Sequence, residues 1–282
     1  MTLLRARLDA LVHRTDEPAR LATDPLRFPR RYRDPGDVEV AAFLSASLAF
    51  GRVGLFGAVL ERIFAVADAA GGPAAWVDDG DFRGLQGVYY RWHGTGDIVA
   101  LCALAGRVRA LGGFETLFQG QPFARALPEV IVALRAQSPE NRSFRTFLPS
   151  PLDGSACKRW CLFARWMVRD ATPDLGLWTS LRARDLVIPL DTHVFRLSRL
   201  VGLTRRATPG WATAVEVTAA LAALCPEDPL RYDFALAHLG ISGECRNRRD
   251  AEVCPPCALR AICVHGTDIG DRPGAGGLCC RS

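Results

Sequence analysis

Val40, Phe43, Leu44, Ser47 and Leu48 recur at the i, i+3, i+4, i+7, i+8 spacing that gathers side chains on one face of a helix. Asp37, following Pro35 and Gly36, is placed to cap that helix at its start. A second helix is predicted from Ala156 to Arg169, with Trp160, Phe163, Ala164, Met167 and Val168 on its inward stripe. The same period returns near 54–68, 98–111, 122–136, 191–201 and 211–224, with clusters of Gly, Pro and Asp between the segments. No run alternates with the period of two that a half-buried strand requires, and no segment repeats. From Asp170 to Pro189 the helical period breaks at Pro173, Gly176 and Trp178, which predicts a connector. The pattern predicts an all-α fold.

Composition narrows the class. A chain of 282 residues, 49% hydrophobic and 23% charged, is long enough for one large domain or two modest ones and excludes disordered and fibrous classes. The longest apolar run, 41–50, is broken by Ser45 and Ser47 and falls far short of the roughly 20 residues that span a bilayer. Arg5, Arg7 and Asp9 leave no room for the apolar core of a secretion signal. A soluble, cytoplasmic protein is expected. The net charge of +5 is modest, but 34 of the 35 basic residues are arginine. In so arginine-biased a chain, the single lysine, Lys158, marks a site that needs an amine. An amine can lose its proton and attack carbon, whereas a guanidinium essentially cannot.

Ten cysteines are many for such a chain, and four of them cluster: Cys245, Cys254, Cys257 and Cys263, spaced C-x8-C-x2-C-x5-C. Without a secretion signal, clustered thiols point to metal rather than disulfides. Four thiolates suit zinc or the iron of a [4Fe–4S] cluster, and spacing alone leaves both open. Cys279 and Cys280, in the tail that follows Gly274, are read as a loose end rather than further ligands.

Ahead of Lys158, the segment Pro151-Leu-Asp-Gly-Ser-Ala-Cys is a turn of small residues leading into a helix. Amide groups exposed at such a helix start can grip an anion. Arg165 and Arg169 fall within about 20° of Lys158 around the helix, where they would depress its pKa. Asp191 follows a proline-containing connector as an N-cap, holding a carboxylate at a helix start. A triad of Asp191 and His193 with Cys157 or Cys161 lacks any nucleophile-elbow motif.

Pro189-Leu-Asp-Thr-His-Val-Phe-Arg-Leu-Ser-Arg, followed by the four-cysteine loop, resembles the helix-hairpin-helix DNA glycosylase superfamily, the endonuclease III group in particular. Phe43-Leu-Ser-Ala-Ser-Leu-Ala-Phe-Gly-Arg is similar to that family's early barrel helix, with Ser47 where glutamine is usual. Gly154-Ser-Ala-Cys-Lys158 is similar to the hairpin that ends in the catalytic lysine, although it lacks the usual Pro-Gly-Val-Gly. The spacing of 33 residues from Lys158 to Asp191 resembles that of archaeal 8-oxoguanine glycosylases. The chain looks most like a bacterial branch of this superfamily.

The resemblance implies two helical domains around a DNA-binding cleft: a six-helix barrel over 37–186, and a domain of 1–36 plus 187–282 that carries the cluster. It implies a base-excision glycosylase with lyase activity, in which Lys158 forms a Schiff base and Asp191 assists. Cys245, Cys254, Cys257 and Cys263 would hold a [4Fe–4S] cluster, with zinc as the alternative. Gly154, Ser155, Ala156, Arg196, Arg199, Arg248 and Arg249 would contact DNA, with Arg205, Arg206 and Arg246 as further basic positions. The expected partner is double-stranded DNA with a damaged base, an oxidised purine being one candidate, bound by a monomer and away from any membrane. Trp160, Trp178, Phe195 and Tyr232 are candidates for the base pocket. A non-catalytic, metal-clamped nucleic-acid-binding protein on the same scaffold is the other expectation.

Overall fold

The computed structural model describes residues 2–266, so Cys279 and Cys280 lie outside the described residues. Among these the regular elements are helical, and the one β contact is an isolated antiparallel bridge between Tyr90 and His93. The chain is all-α. In order, its helices are α1 (Leu3–Arg14), α2 (Glu17–Leu21), α3 (Pro35–Leu48), α4 (Val53–Ala69), α5 (Pro73–Asp79) and α6 (Thr95–Ala110). They continue with α7 (Phe123–Ala136), α8 (Arg142–Arg145), α9 (Lys158–Val168), α10 (Thr192–Leu200), α11 (Trp211–Ala222) and α12 (Asp233–Ile241). No helix among the described residues is long and apolar enough to cross a membrane.

The helix expected to be capped by Asp37 starts earlier. Asp34 is the cap, its carboxylate accepting from the Gly36 and Asp37 amides at 2.9 and 3.1 Å, and Pro35 takes the first helical position, where a missing N–H costs nothing. Asp37 instead accepts from the Ala74 amide at 2.8 Å, satisfying the start of α5. From Val40 to Leu48 α3 is buried on every side. It packs against α9, likewise buried from Trp160 to Val168. Phe43, Phe114, Trp160, Phe163 and Trp178 form the aromatic centre between them, with ring centroids 4.3 to 6.4 Å apart. Trp160 and Trp178, with Phe195 and Tyr232, are therefore core residues rather than the lining of an open pocket.

The first helix meets elements from late in the described chain. α1 packs on α12 and on the 3-10 turn Arg260–Ile262, while the turns Pro25–Arg27 and Pro29–Arg31 pack on α3, so the stretch before residue 37 touches both parts of the molecule.

Arg165 and Arg169 do not flank Lys158 as a cationic face. Both are buried and neutralised. Arg165 pairs with Asp174 at 3.0 Å and with Asp233, while Arg169 pairs with Asp174 and, at 2.7 Å, with Asp228. The helical period correctly put the two arginines together; it could not report that carboxylates from the connector and from α12 cover them. The connector itself folds back onto α9, with the Leu175 and Trp178 amides donating to the Trp166 and Met167 carbonyls at 2.8 and 2.7 Å. Those carbonyls lie in the last turn of α9 and would otherwise be unpaired.

Asp174 accepts from both buried arginines, so its removal leaves two buried cations with one carboxylate partner each. Asp174→Ala is expected to destabilise the protein by about 3–5 kcal/mol in urea denaturation, the scale of a broken buried pair. A loss below about 1 kcal/mol would show that the network is dispensable.

Candidate functional site

The site forms where the C-terminus of α3 meets the N-terminus of α9. Pro151–Asp153 make a 3-10 turn, Gly154 turns left-handed at φ 73°, and Cys157 does so again at φ 49°. This second left-handed residue is why α9 begins at Lys158 and not at Ala156. Lys158 is partly buried, and its Nζ donates to the Ala49 carbonyl at 3.0 Å. Arg159 reaches the same helix end, donating to the Ser47 carbonyl at 2.9 Å and to the Thr146 carbonyl. The C-terminal carbonyls of α3 thus receive two cations, as the helix dipole favours.

Burial holds the Lys158 amine below its ordinary pKa; the carboxylates of Asp191, Asp24 and Asp233 oppose the shift, and Arg159 adds to it. The first of those carboxylates is the one expected from sequence. Asp191 caps α10, its Oδ1 accepting from the Val194 amide at 2.8 Å, and it remains partly exposed. Asp233, buried and paired with Arg165 through one oxygen only, is pushed up to about 6 by burial. The Asp-Thr-His motif gains a packing explanation as well: His193 lies so close to Gly240 of α12 that a Cβ there would stand 2.5 Å from the imidazole's own Cβ. Cys157 and Cys161 are buried, burial raising the first thiol to about 12 and the second well above its usual value, so neither is a ready nucleophile.

The hairpin is less open to an anion than its sequence suggests. The amides of Gly154, Ser155 and Cys157 donate internally, to Pro151 O at 2.9 Å, Ser150 O at 3.3 Å and Ser155 Oγ at 3.1 Å. What remains for a phosphate is the first turn of α9 and the exposed face of Gly154, where a Cβ would meet nothing within 4 Å.

Sequence reasoning missed a ledge beside the lysine. Tyr89 and Trp92 are the exposed aromatic side chains here, at 67% and 53%. The Tyr90–His93 bridge closes their turn, with Arg91 left-handed at φ 56° and its guanidinium over the Trp92 ring at 4.8 Å. Phe50, next to the Ala49 that receives Lys158, stacks on Trp92 at 5.5 Å and lies under Arg159 at 5.0 Å. Tyr89-Tyr-Arg-Trp92, three aromatics around an arginine, was the available signal.

The four clustered cysteines line one cavity, together with Arg248 and His265. Three of the sulfurs accept backbone N–H groups, Cys245 from Asn247, Cys257 from Leu259, and Cys254 from Asp250 at 3.3 Å. Burial raises the Cys245 and Cys257 thiols and these amide donors oppose that shift; four sulfurs lining one cavity are the donor set that a four-thiolate group requires. No group of three or more His, Cys, Asp or Glu side chains stands in ligating geometry among the described residues. Among the basic positions, Arg196, Arg199 and Arg205 are exposed along one cleft, and Arg248 and Arg249 are exposed in the cysteine loop. Arg206 and Arg246 are engaged by Glu216 at 2.6 Å and Asp250 at 2.8 Å.

Residues 24–242 match the family described as "Protein of unknown function (DUF2400)", which covers most of the chain, from the turn before α3 to the end of α12. The chain belongs to the DUF2400 family. Nothing matches it among curated proteins or among solved structures. The family match includes Lys158, Asp191 and the aromatic ledge, and ends just before Cys245.

Under the ledge, His93 is fully buried, stacked on Phe147 at 4.0 Å, with its Nδ1 unpartnered. Burial, aided by Arg159, lowers its pKa from 6.5 to about 4. The unfolded chain therefore binds this proton first as pH falls. Stability from a neutral His93 is complete above about pH 6.5 and drains away toward pH 4, by up to about 3 kcal/mol. Urea titrations should show that slope and should lose it in His93→Phe; an unchanged slope would remove His93 as its source.

Proposed function

We propose that the protein is a base-excision DNA glycosylase with an associated lyase step, acting on a damaged base in double-stranded DNA. The observation that carries this reading is the environment of the chain's one lysine: a partly buried amine with a lowered pKa, at a helix start, within electrostatic reach of the cap carboxylate Asp191. A lowered pKa enlarges the share of neutral amine, the form that can attack carbon.

In the reaction, the Lys158 lone pair attacks C1′ of the nucleotide. The glycosidic bond breaks with its electrons on the departing base, which takes up a proton. Loss of one of the amine's two protons and ring opening, with a proton taken up by O4′, leave an iminium that keeps the other proton; removal of a C2′ proton then expels the 3′ phosphate. Asp191 stabilises the positive charge that develops on the sugar. The ledge of Tyr89, Arg91 and Trp92 offers a stacking surface where the duplex opens, worth about 1–3 kcal/mol per base stacked. Arg196, Arg199, Arg248 and Arg249 supply backbone contacts, with Gly154, Ser155 and Ala156 at the approach to α9.

Cys245, Cys254, Cys257 and Cys263 would hold a [4Fe–4S] cluster, or zinc in its place. When bound, the group cross-links a loop with little apolar core of its own and supplies no chemistry at Lys158. A second reading, a nucleic-acid-binding protein without catalysis, is favoured by the internally bonded hairpin amides and by the hydrogen bond that already occupies Nζ.

Two variants separate these readings on abasic and single-lesion duplexes. Lys158→Arg keeps the charge but cannot form an imine, and strand nicking is expected to vanish. Asp191→Asn still caps α10 and is expected to fold and bind DNA while base release slows about 10²-fold or more. Nicking at the wild-type rate in both would remove Lys158 and Asp191 from the chemistry, and DNA binding with neither base release nor nicking in the wild type would leave the binding protein as the answer.

The loop is tested without activity. Anaerobically purified protein is expected to absorb broadly in the visible and to contain iron, and Cys245→Ser to lose both. Stoichiometric zinc without iron would replace the cluster, and neither metal would remove the site.

A further inference from the structure

A cleft of about 730 Å³ opens between the end of α10 and the cysteine loop, lined by Arg196, Arg199, Leu200, Thr204, Arg205, Asn247 and Val264. We propose that this cleft binds a run of at least two consecutive phosphates. The inference rests on the proposed nucleic-acid reading only for one source of those phosphates, and not at all on the chemistry of Lys158.

Charge is the first argument. Arg196 and Arg199 stand one turn apart on the same face of α10, about 5–6 Å between their Cβ atoms. Arg205 joins them after the chain turns at Gly202, left-handed at φ 81°. No carboxylate lines the cleft, and none of the three arginines has an ion-pair partner among the described residues. The carboxylate beside Arg205 is already committed. Glu216 accepts from Arg206 Nε at 2.6 Å and from Thr204 Oγ1 at 2.8 Å, so Arg205 is left to project alone. Three guanidinium groups held together without a counter-charge repel one another unless an anion joins them. Their planar forks match phosphate oxygens two at a time.

Construction is the second argument. The far wall belongs to the cysteine loop, docked by the Val264 amide donating to the Leu200 carbonyl at 2.9 Å. That wall carries Asn247, left-handed at φ 53°, whose buried side-chain oxygen finds no partner. Three cations without a carboxylate partner, gathered along one cleft, describe a site built for a polyanion.

Two sources share this chemistry: the backbone of a nucleic acid and a free polyphosphate such as a nucleotide's. Binding is measured by calorimetry with tripolyphosphate and, separately, with a short oligothymidylate, on wild type, Arg199→Ser, Arg205→Ser and the surface control Arg83→Ser. Each cleft variant is expected to weaken at least one of the two probes about tenfold and to lower the salt slope by about one, while Arg83→Ser changes neither. Loss confined to the oligothymidylate assigns the cleft to the backbone; loss of tripolyphosphate as well, with competition between the probes, assigns it to free polyphosphate. Unchanged affinities for both probes in both cleft variants overturn the proposal. Calorimetry on these probes reads neither base release nor strand nicking, so failure here and failure of the glycosylase reading are distinguishable.

Discussion

Two arginines buried at the C-terminal end of α9, Arg165 in its last turn and Arg169 at its cap, govern this structure. Arg165 and Arg169 on α9 could not remain in the interior without carboxylates, and they draw Asp174 from the connector, Asp228 from the loop before α12, and Asp233 from α12 itself. A buried network of this kind is a weak source of net stability but a demanding one, because any arrangement that leaves a charge unpaired is heavily penalised. It therefore fixes where the connector runs and how α12 approaches α9. With α9 fixed, its first residue, Lys158, comes to rest against the carbonyl end of α3, and α12 sets Gly240 against His193 beside the Asp191 cap.

The same network shapes the lysine's chemistry at one remove. Asp233 faces Arg165 with one oxygen and has the other unpaired, and its charge reaches Lys158 alongside those of Asp24 and Asp191. Burial pushes the amine toward neutrality while three carboxylates and the Ala49 carbonyl pull it back.

Periodicity disclosed α3, α4, α6, α7, α9, α10 and α11 to within a few residues, because each has a distinct inward face or a sustained apolar run. It did not disclose α5, which is a short helix, or α12, which is apolar nearly all round and has no amphipathic signal. Asp37 was misread as a cap because proline at the first helical position moves the true cap back to Asp34. The arginines of α9 were misread for a different reason. Spacing along one helix says which side chains share a face, but only residues far along the chain decide whether that face is wet.

Lys158, Asp191 and the four cysteines were legible because rarity and spacing are properties of sequence. The aromatic ledge was not, since Phe50 and Trp92 meet only after α4 and α5 have brought the Tyr89–His93 turn back to the end of α3. The central claim, that the lone lysine attacks sugar carbon, is tested most directly by reducing the protein on an abasic duplex with borohydride and mapping the adduct by peptide mass spectrometry. A single adduct on the peptide that contains Lys158 is the expected result. An adduct on the N-terminal amine instead, or none at all, would contradict it.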